Sequence, residues 1–396
     1  MRVLCNFTDW AGYEERRKLN TYGGIGYYRM WKPSQLLTNH EVDFRGVDID
    51  TYGETPEKNW ENIFKKYDVF WAVHFFNEQL QVLQCYNAQK YKKLLIYDLD
   101  DNYLDLDPSN PVYEKFFKNY TTKDGGDLGM KASRNQATLT AALSLADALT
   151  VSTEPLKERM AAHFKRNFNI EKPIYVIPNM NDLNDWNYPV APKHGNKVVI
   201  GYQGSMSHKA DLQMVLPAIQ RLMKKHKNLH LEILGSIDKH QVDEFFAGWE
   251  MKLLERVAML PATKVFREFP KWLAEQKWDI GIAPLVDTAF TRSKSHIKWL
   301  EYSAYKIPCV ASRVYPYFMD LCGRKTIQDG ETGFLCRPPE WEQALERLII
   351  DKGLRERVGQ QAYEAVKKDW QYKDSQIQET FDQMIKDCRK GKKLSK

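Results

Sequence analysis

The chain has 396 residues, of which 43% are apolar and 28% charged, so it is too long for one simple core and too apolar to be disordered. We therefore expect two domains of roughly 200 residues each. The net charge of +6 suits anionic ligands such as nucleotides, but it is weaker than the charge of a dedicated nucleic-acid-binding protein.

The cysteines and the apolar segments indicate the cellular compartment in which the protein is expected. The six cysteines are scattered without a C-x-x-C pair, which argues against a disulfide framework or zinc-finger spacing and favours reduced thiols. The opening residues, "MRVLCNFTDW", lack the apolar core of a signal peptide, and no stretch approaches the roughly 20 apolar residues that span a bilayer. These features predict a soluble, cytoplasmic protein. The basic tail at 389–396 is interpreted as a solvated terminus, with an anchor to DNA or to an anionic membrane as the alternative.

The first half of the chain alternates between strand and helix patterns. Short apolar runs that end in polar or turn residues predict strands, and the segment 20–37 predicts a glycine-punctuated loop followed by a helix with Trp31, Leu36 and Leu37. Glu154 and Pro155 suit the first turn of a helix after the fifth strand. The predicted strands are 2–7, 40–48, 67–75, 93–100, 146–153 and 173–179, with a helix-like stretch at 78–91.

The second half repeats this pattern after a break. The segment 181–197 has two prolines and no periodicity, so it is interpreted as a linker. The strands predicted after it are 197–204, 229–236, 277–285 and 307–312, with helices between them. The alternation predicts an α/β fold of two doubly wound, Rossmann-like parallel sheets, with ligands at the carboxyl ends of the strands. The predicted domains are residues 1–190 and 191–370, followed by a C-terminal segment at 371–396.

A cluster of carboxylates begins at the end of the fourth predicted strand and continues beyond it, in "KKLLIYDLDDNYLDL" (92–106). Its members, with one residue just beyond the quoted stretch, are Asp98, Asp100, Asp101, Asp105 and Asp107. Five acidic groups this close repel one another, which favours a cleft with a cationic or hydroxyl partner over a simple capped turn.

Two enzymatic hypotheses also fit this cluster. The stretch resembles the first motif of haloacid-dehalogenase-like phosphatases, with Asp98 as nucleophile and Asp100 as acid/base. Against it, Asn102 occupies the threonine position and no downstream acidic pair has the spacing that holds Mg²⁺. The second hypothesis is a D-x-D metal site, because oxygen ligands suit Mg²⁺ and Mn²⁺.

A glycine turn, "GYQGSMSHKADL" (201–212), directly follows the first strand of the second half. Small residues such as Gly204 and Ser205 let the backbone approach a diphosphate, and His208 and Lys209 add positive charge. The alternative is a plain turn before a helix.

A second candidate site lies in "DIGIAPLVDTAFTRSKSHIKWLEYSAYKIPCVAS" (279–312). A loop with Lys294 and Ser295 runs into a helix with Lys298 and Glu301, which share one helix face because they are three positions apart. Cations and helix N-terminal amides suit a diphosphate, and a carboxylate one turn later suits a ribose diol. The alternative is a surface salt bridge between Lys298 and Glu301.

Together with the turn, strand and helix pair at 327–362, these two segments resemble the donor-binding domain of GT-B-fold glycosyltransferases of the large family 4-like, retaining class. In the first half, "GGIGYYR" resembles the N-terminal glycine loop, and "ADALTVSTEPLKERM" resembles the segment that closes the acceptor domain. The resemblance implies an acceptor-binding first domain, a nucleotide-sugar-binding second domain, and a C-terminal helix that crosses back to the first.

The resemblance also implies the chemistry. A sugar would move from a nucleotide-diphosphate sugar to an acceptor hydroxyl with retention, and with no metal or other cofactor. Asp100 and Asp101 would face the acceptor and orient or deprotonate it. The implied donor-binding residues are Gly24, Gly204, Ser205, His208, Lys209, Lys294, Ser295, Lys298 and Glu301.

The sequence departs from the family pattern at two points. The first glutamate of the usual E-x7-E motif falls on Ser293, and the usual Arg and Lys that clamp the phosphates are not plainly present, so phosphate binding leans on Lys294, Ser295 and Lys298. The acceptor is open between a glycan, a small metabolite, a protein and a hydroxymethylated DNA base. The phosphatase and a non-catalytic nucleotide-sugar-binding protein remain alternative functions.

Overall fold

Apolar runs of the sequence become buried parallel strands in the computed structural model of the chain. The structure describes residues 1–7, 22–46, 56–73, 78–106, 110, 113, 134–190, 195–205, 208–235, 242–261, 265–321, 324–372 and 375–394. Asp107 of the carboxylate cluster lies outside these residues, as do the last two residues of the basic tail.

The first sheet has the strand order β2-β1-β3-β4-β5-β6, and every pairing in it is parallel. Its central strands β3 and β4 are buried at every position, as expected for strands that helices cover on both faces. The bounds are β1 Arg2–Phe7, β2 Glu41–Gly46, β3 Val69–Val73, β4 Leu94–Leu99, β5 Ala148–Val151 and β6 Ile174–Val176.

The second sheet has the order β14-β11-β10-β7-β8-β9 and is also parallel throughout. A separate antiparallel pair is formed by β12 (Asp320–Leu321) and β13 (Arg324–Lys325). The sheet strands are β7 Val198–Gln203, β8 Leu229–Leu234, β9 Val257–Leu260, β10 Ile280–Ala283, β11 Cys309–Ser312 and β14 Phe334–Cys336. Two six-stranded parallel sheets with helices confirm the predicted fold class. The predicted boundary at 190 falls in the connection between β6 and β7.

Helices cover the sheets and join their strands. None of the described helices combines the length and the apolar character that crossing a membrane requires. The helices of the first half are Lys32–Gln35, Pro56–Lys66, Glu78–Lys90, Arg134–Leu145 and Glu154–Phe168. Those of the second half are Lys209–Lys225, Val242–Phe245, Met251–Leu254, Phe269–Glu275, Ala289–Arg292, Ile297–Ala304, Tyr315–Phe318, Trp341–Ile350, Lys352–Asp369 and Ser375–Leu394.

Several elements of the structure were not predicted from the sequence. The helices Pro56–Lys66 and Arg134–Leu145 were not predicted, and neither was β9. β9 is an edge strand that is only half-buried along its length, so it lacks the long apolar run by which buried strands are recognised.

The glycine loop of the first domain ends in an unusual helix. Residues Gly26–Trp31 form a π-helix that continues into Lys32–Gln35, where the sequence predicted a loop followed by an ordinary helix. π-helical turns are rare and are frequently found at functional sites. Here the turn buries Tyr28 and Arg29 and directs both toward the cleft between the two sheets.

The C-terminal helix, Ser375–Leu394, packs on the first sheet although the preceding helix belongs to the second domain. Just before it, the Tyr372 hydroxyl donates to the carbonyl of Tyr28 at 2.6 Å. Within it, the Phe381 ring lies 5.1 Å from that of Trp71, centroid to centroid. The C-terminal helix therefore ties the two domains together, because it continues from the second domain and packs on the first.

Gly359 permits a close approach between the helix Lys352–Asp369 and the chain at Lys306. A Cβ added to Gly359 would lie 2.0 Å from the carbonyl oxygen of Lys306. We expect Gly359→Ala to lower the free energy of unfolding by about 1 to 3 kcal/mol in urea titrations, although alanine favours helices. The control is Gly391→Ala, since a Cβ at Gly391 meets no atom within 4 Å. If both variants were equally stable, this packing argument would be wrong.

Candidate active site

The carboxyl ends of the two sheets face a shared cleft of about 630 Å³. The first domain contributes its glycine loop, the π-helix and the residues after β4, and the second contributes the turn after β7 and the segment 294–301. Phe266 of the second domain closes one wall: its ring lies 4.6 Å from that of Tyr27, and its amide donates to the carbonyl of Tyr22 at 3.1 Å. Ligands of doubly wound sheets bind at such a place.

Nearly all the residues predicted from the sequence line this cleft. They are Gly24, Asp100, Asp101, Gly204, Ser205, His208, Lys294, Ser295, Lys298 and Glu301. Lys209 does not lie among them, because its ammonium turns to Glu244 at 3.4 Å on the outer surface. Successive residues at the start of a helix point about 100° apart, so His208 faces the cleft while Lys209 faces away. The prediction that Lys209 contacts the donor finds no support in this placement.

Asp98 is the centre of a buried ion pair. Arg29 of the π-helix donates to both of its carboxylate oxygens, at 2.9 and 2.8 Å, and neither side chain is exposed. The Thr150 hydroxyl also donates to Asp98, at 2.6 Å. A phosphatase nucleophile needs a free carboxylate oxygen that can reach a phosphorus atom. The phosphatase hypothesis is therefore wrong for Asp98, whose role is to fix Arg29 under the cleft.

The two carboxylates that follow have different surroundings. Asp101 accepts from the ammonium of Lys294 with both oxygens, at 2.9 and 2.7 Å, across the cleft. Asp100 accepts only a long hydrogen bond from the Tyr103 hydroxyl, at 3.3 Å, among the side-chain contacts of its described neighbourhood. Desolvation and, second to it, the neighbouring charge of Asp101 together raise the pKa of Asp100 to about 7. Near neutral pH Asp100 is therefore suited to exchange a proton.

Metal ligation is the other chemistry that these carboxylates could perform. Across the described ranges, no three His, Cys, Asp or Glu side chains converge in a way that could hold a metal ion. The D-x-D pair Asp98 and Asp100 does not act as a unit either, because Asp98 is already occupied by Arg29.

Positive charge on the donor side is concentrated on Lys294 and Lys298. Desolvation and, second to it, the charge of Lys294 together lower the pKa of Lys298 to about 8. The ammonium of Lys298 lies 3.5 Å from Nε2 of His208. Two ammonium groups thus line the cleft together with the turn that was predicted to approach a diphosphate. Among the residues that the structure describes, Lys294 pairs with a carboxylate and Lys298 does not.

His208 is neutral in this environment. Its Nδ1 lies 2.7 Å from the carboxylate of Asp211, and burial together with the charge of Lys298 holds the pKa of His208 well below its usual range. The Asp211 carboxylate is itself fixed, since its other oxygen accepts from the amide of Val286 at 2.7 Å. With Nδ1–H donated to Asp211, Nε2 is left as an acceptor that orients Lys298.

Glu301 is buried at the floor of the cleft, so the surface-salt-bridge alternative is wrong. Its carboxylate accepts from the Tyr28 hydroxyl of the first domain at 3.1 Å, and from the side-chain amide of Gln203. Burial raises the pKa of Glu301 to about 7, against the lowering effect of these hydrogen bonds. Glu301 therefore links both domains at the position expected to meet the ribose.

Replacing Glu301 by glutamine tests this burial. Folding raises the pKa of this carboxyl group to about 7, so the folded state binds its proton more tightly than the unfolded state. The group therefore lowers the stability as pH rises from the pKa of the unfolded state to that of the folded state. We expect Glu301→Gln to raise the free energy of unfolding relative to the wild type at pH 8 by up to about 3 kcal/mol, and much less at pH 4.5. Glutamine can still accept from Gln203 and donate to Tyr28. Urea titrations at both pH values measure the difference.

The control for loss of one charge is Glu379→Gln on the exposed face of the C-terminal helix. An equal effect of Glu301→Gln at both pH values would contradict the raised pKa.

Several residues of the cleft escaped the sequence analysis. Tyr28, Asn179 and Gln203 lie inside motifs that had been noted, but nothing in their spacing marked them as contacts. Asp211 follows His208 by three positions, which is the helical spacing of a side-chain pair, and this signal was available. Phe266 carries no local motif, because its partners are about 240 positions away in the chain.

Comparison with known proteins agrees with this geometry. The profile of the family described as Glycosyl transferases group 1 matches residues 197–351. HepE from Anabaena, solved in complex with UDP-glucose, superposes with a TM-score of 0.59 at 13% identity, over 98% of this chain and 100% of HepE. A glycosyltransferase from Rickettsia africae also gives 0.59, at 15% identity, over 98% of each chain. No curated protein sequence shows significant similarity to the chain.

TarM from S. aureus, solved with UDP and α-GlcNAc-glycerol, gives a TM-score of 0.56 at 14% identity over 84% of this chain. The chain spans only 59% of the length of TarM. These likenesses concern the fold, which is that of GT-B glycosyltransferases: two Rossmann-like sheets across a cleft. The chain therefore has the GT-B fold, and its second domain matches the glycosyl transferases group 1 family over residues 197–351.

Proposed function

We propose that the chain transfers a sugar from a nucleoside-diphosphate sugar to an acceptor hydroxyl, with retention of configuration and without a metal ion. The observation that carries the proposal is the convergence of Lys294, Lys298, His208 and Glu301 on one cleft of about 630 Å³. This volume suits a nucleotide sugar, since ligand pockets usually measure roughly 300 to 1,000 Å³. The cytoplasmic location predicted from the sequence stays part of the proposal.

The donor would lie with its diphosphate between Lys298 and the glycine turn at Gly204. The departing diphosphate gains negative charge in the transition state, and fixed cations in a desolvated cleft stabilise that charge without reorganisation. Glu301, oriented by Tyr28 and Gln203, offers its carboxylate to the ribose hydroxyls. UDP is the favoured nucleotide because HepE and TarM were solved with UDP or UDP-glucose.

The acceptor would approach from the first domain, where Asp100 lines the cleft. A carboxyl group with a pKa of about 7 can accept a hydrogen bond or a proton from a hydroxyl at neutral pH. A carbohydrate hydroxyl is the favoured acceptor, because TarM was solved with α-GlcNAc-glycerol. A hydroxymethylated DNA base is the competing acceptor, compatible with the net charge of +6 but with nothing further in its favour.

One observation favours a second function. Ser293 occupies the position of the first motif glutamate, and its hydroxyl donates to the carbonyl of Ala289 at 3.0 Å instead of lining the cleft. A chain that lacks this carboxylate can bind a nucleotide sugar without turning it over, which is the non-catalytic alternative.

Release of nucleoside diphosphate tests the proposal. The full chain is incubated with UDP-, GDP-, ADP- and dTDP-sugars, with and without EDTA, and with either a mixed glycan acceptor pool or hydroxymethylated DNA. Slow, EDTA-resistant release from one donor is the expected result, and stimulation by one acceptor pool identifies its class. If DNA stimulates, its affinity falls steeply with salt because counterions are released.

The other outcomes separate the alternatives. Tight donor binding without any release, in every acceptor condition, supports the non-catalytic protein. Release that EDTA abolishes contradicts metal independence. No binding of any donor contradicts the proposed function as a whole.

A further inference from the structure

The loop before the helix Ile297–Ala304 contacts the first domain at three successive residues. Two of the contacts are neutral hydrogen bonds. The Thr153 hydroxyl donates to the carbonyl of Ser293 at 2.8 Å, and the side-chain amide of Asn179 donates to the hydroxyl of Ser295 at 2.8 Å. These two bonds join the domains at the edge of the cleft.

The third contact is of a different kind. Between these two serines, Lys294 forms its ion pair with Asp101, and the two side chains are only 11% and 20% exposed. The ammonium of Lys294 also lies 4.5 Å from the centre of the Phe290 ring, and Phe290 packs on Leu106 of the first domain. The ion pair is therefore held in place by the surrounding interface and is partly shielded from water.

A donor diphosphate competes directly with this ion pair. Lys294 lines the cleft and is four positions before Lys298, but both carboxylate oxygens of Asp101 already engage it. A diphosphate brings more negative charge than one carboxylate and several acceptor oxygens, so it can replace Asp101 as the partner of an ammonium group. The displaced carboxylate is then repelled from the phosphates and remains beside Asp100 on the acceptor side.

We propose that the Asp101–Lys294 ion pair is a latch that the donor diphosphate opens. In the donor-free protein the latch ties the domains together and keeps Lys294 on Asp101. Opening it transfers Lys294 to the phosphates and releases Asp101 toward the acceptor, so donor binding prepares the acceptor side. Asp101 is thus a positioning residue for Lys294. This inference rests on the proposed function, because it requires a diphosphate in the cleft.

The neighbouring carboxylate provides a matched control. Asp100 lines the same cleft one position earlier, but its hydrogen-bond partner is Tyr103 and it takes no part in the ion pair. Replacing either residue by asparagine removes one negative charge from the site. A general electrostatic effect on phosphate binding would be similar for both variants, whereas release of the latch is specific to Asp101→Asn.

The experiment is calorimetric titration of the full-length wild type, Asp101→Asn and Asp100→Asn with UDP, GDP and ADP at pH 8. At this pH Asp100 is ionised, since its pKa is about 7. We expect Asp101→Asn to bind the preferred diphosphate roughly 3- to 10-fold more tightly than the wild type. This ratio corresponds to the free energy that a partly shielded ion pair contributes. Asp100→Asn should change the affinity less than 2-fold. The matching nucleoside, which has no phosphate, should bind the wild type and Asp101→Asn equally.

Every outcome of this titration either supports or overturns the latch. Equal tightening by both variants, or tightening of the nucleoside as well, overturns the latch while leaving the proposed function intact. Unchanged or weaker binding by Asp101→Asn also overturns it, provided that thermal unfolding shows a folded variant. If the wild type binds no nucleoside diphosphate at all, the proposed function and the latch fall together.

Discussion

Lys298→Ala is expected to lower kcat/KM for the nucleotide sugar by a factor of about 100 to 1,000, the usual loss when one preorganised donor to a developing oxyanion is removed. The ammonium of Lys298 is desolvated and lies against His208, so it meets the phosphate without much reorganisation. The same ammonium loses its proton as pH rises through about 8, and kcat/KM should fall above that pH in the wild type.

Lys209→Ala is the matched control for this variant. Lys209 carries the same charge and was predicted from sequence to bind the donor, yet its ammonium pairs with Glu244 on the outer surface. We expect Lys209→Ala to keep kcat/KM within about 2-fold of the wild type, because exposed ion pairs contribute little. Steady-state assays of nucleotide release measure both variants. Comparable losses in the two would show that the cleft geometry does not determine donor binding.

Arg29→Met is expected to lower the free energy of unfolding by about 3 to 5 kcal/mol, because it strands a charged carboxylate in the protein interior. Asp98 is fully buried, and Arg29 supplies two of its hydrogen bonds. Arg29 also donates to Asn179 at 2.8 Å, so the end of β6 and the cleft edge depend on the same guanidinium. Chemical unfolding followed by tryptophan fluorescence measures the change.

A second variant keeps this prediction testable if Arg29→Met does not fold. In the double variant Arg29→Met/Asp98→Asn no charge is stranded, and the Thr150 hydroxyl can still donate to the amide oxygen. We expect the double variant to recover at least half of the lost stability. If the free energy of unfolding of Arg29→Met alone were within about 1 kcal/mol of the wild-type value, the result would contradict the buried ion pair.

The fold was largely predictable because parallel strands carry a local signal. β3 is a continuous apolar run and β4 is one interrupted only by Asp98, and such runs are recognised from the sequence alone. β9 was missed because an edge strand buries only part of each residue. The π-helix Gly26–Trp31 was also missed, since its stability comes from packing of Tyr28 and Arg29 under both domains and not from helix propensity.

The candidate site was predictable as a set of residues but not as a set of contacts. The sequence brought Asp98, Asp100 and Asp101 together, yet the roles of Asp98 and Asp101 depend on partners 52 to 193 positions away, such as Arg29 and Lys294. A local pattern contains no information about such partners. The opposite orientations of His208 and Lys209 likewise follow from where the helix begins, which a sequence locates only to within a few residues.

The central claim is that the cleft binds a donor diphosphate on Lys298. The most direct test is a crystal structure of the full chain with the nucleoside diphosphate that the release assay selects. We expect the phosphate oxygens within hydrogen-bonding distance of Lys298, the ribose hydroxyls at Glu301, and Lys294 turned from Asp101 to the phosphates. A nucleotide bound outside the cleft, or one whose phosphates point away from Lys298 and Lys294, would contradict the account.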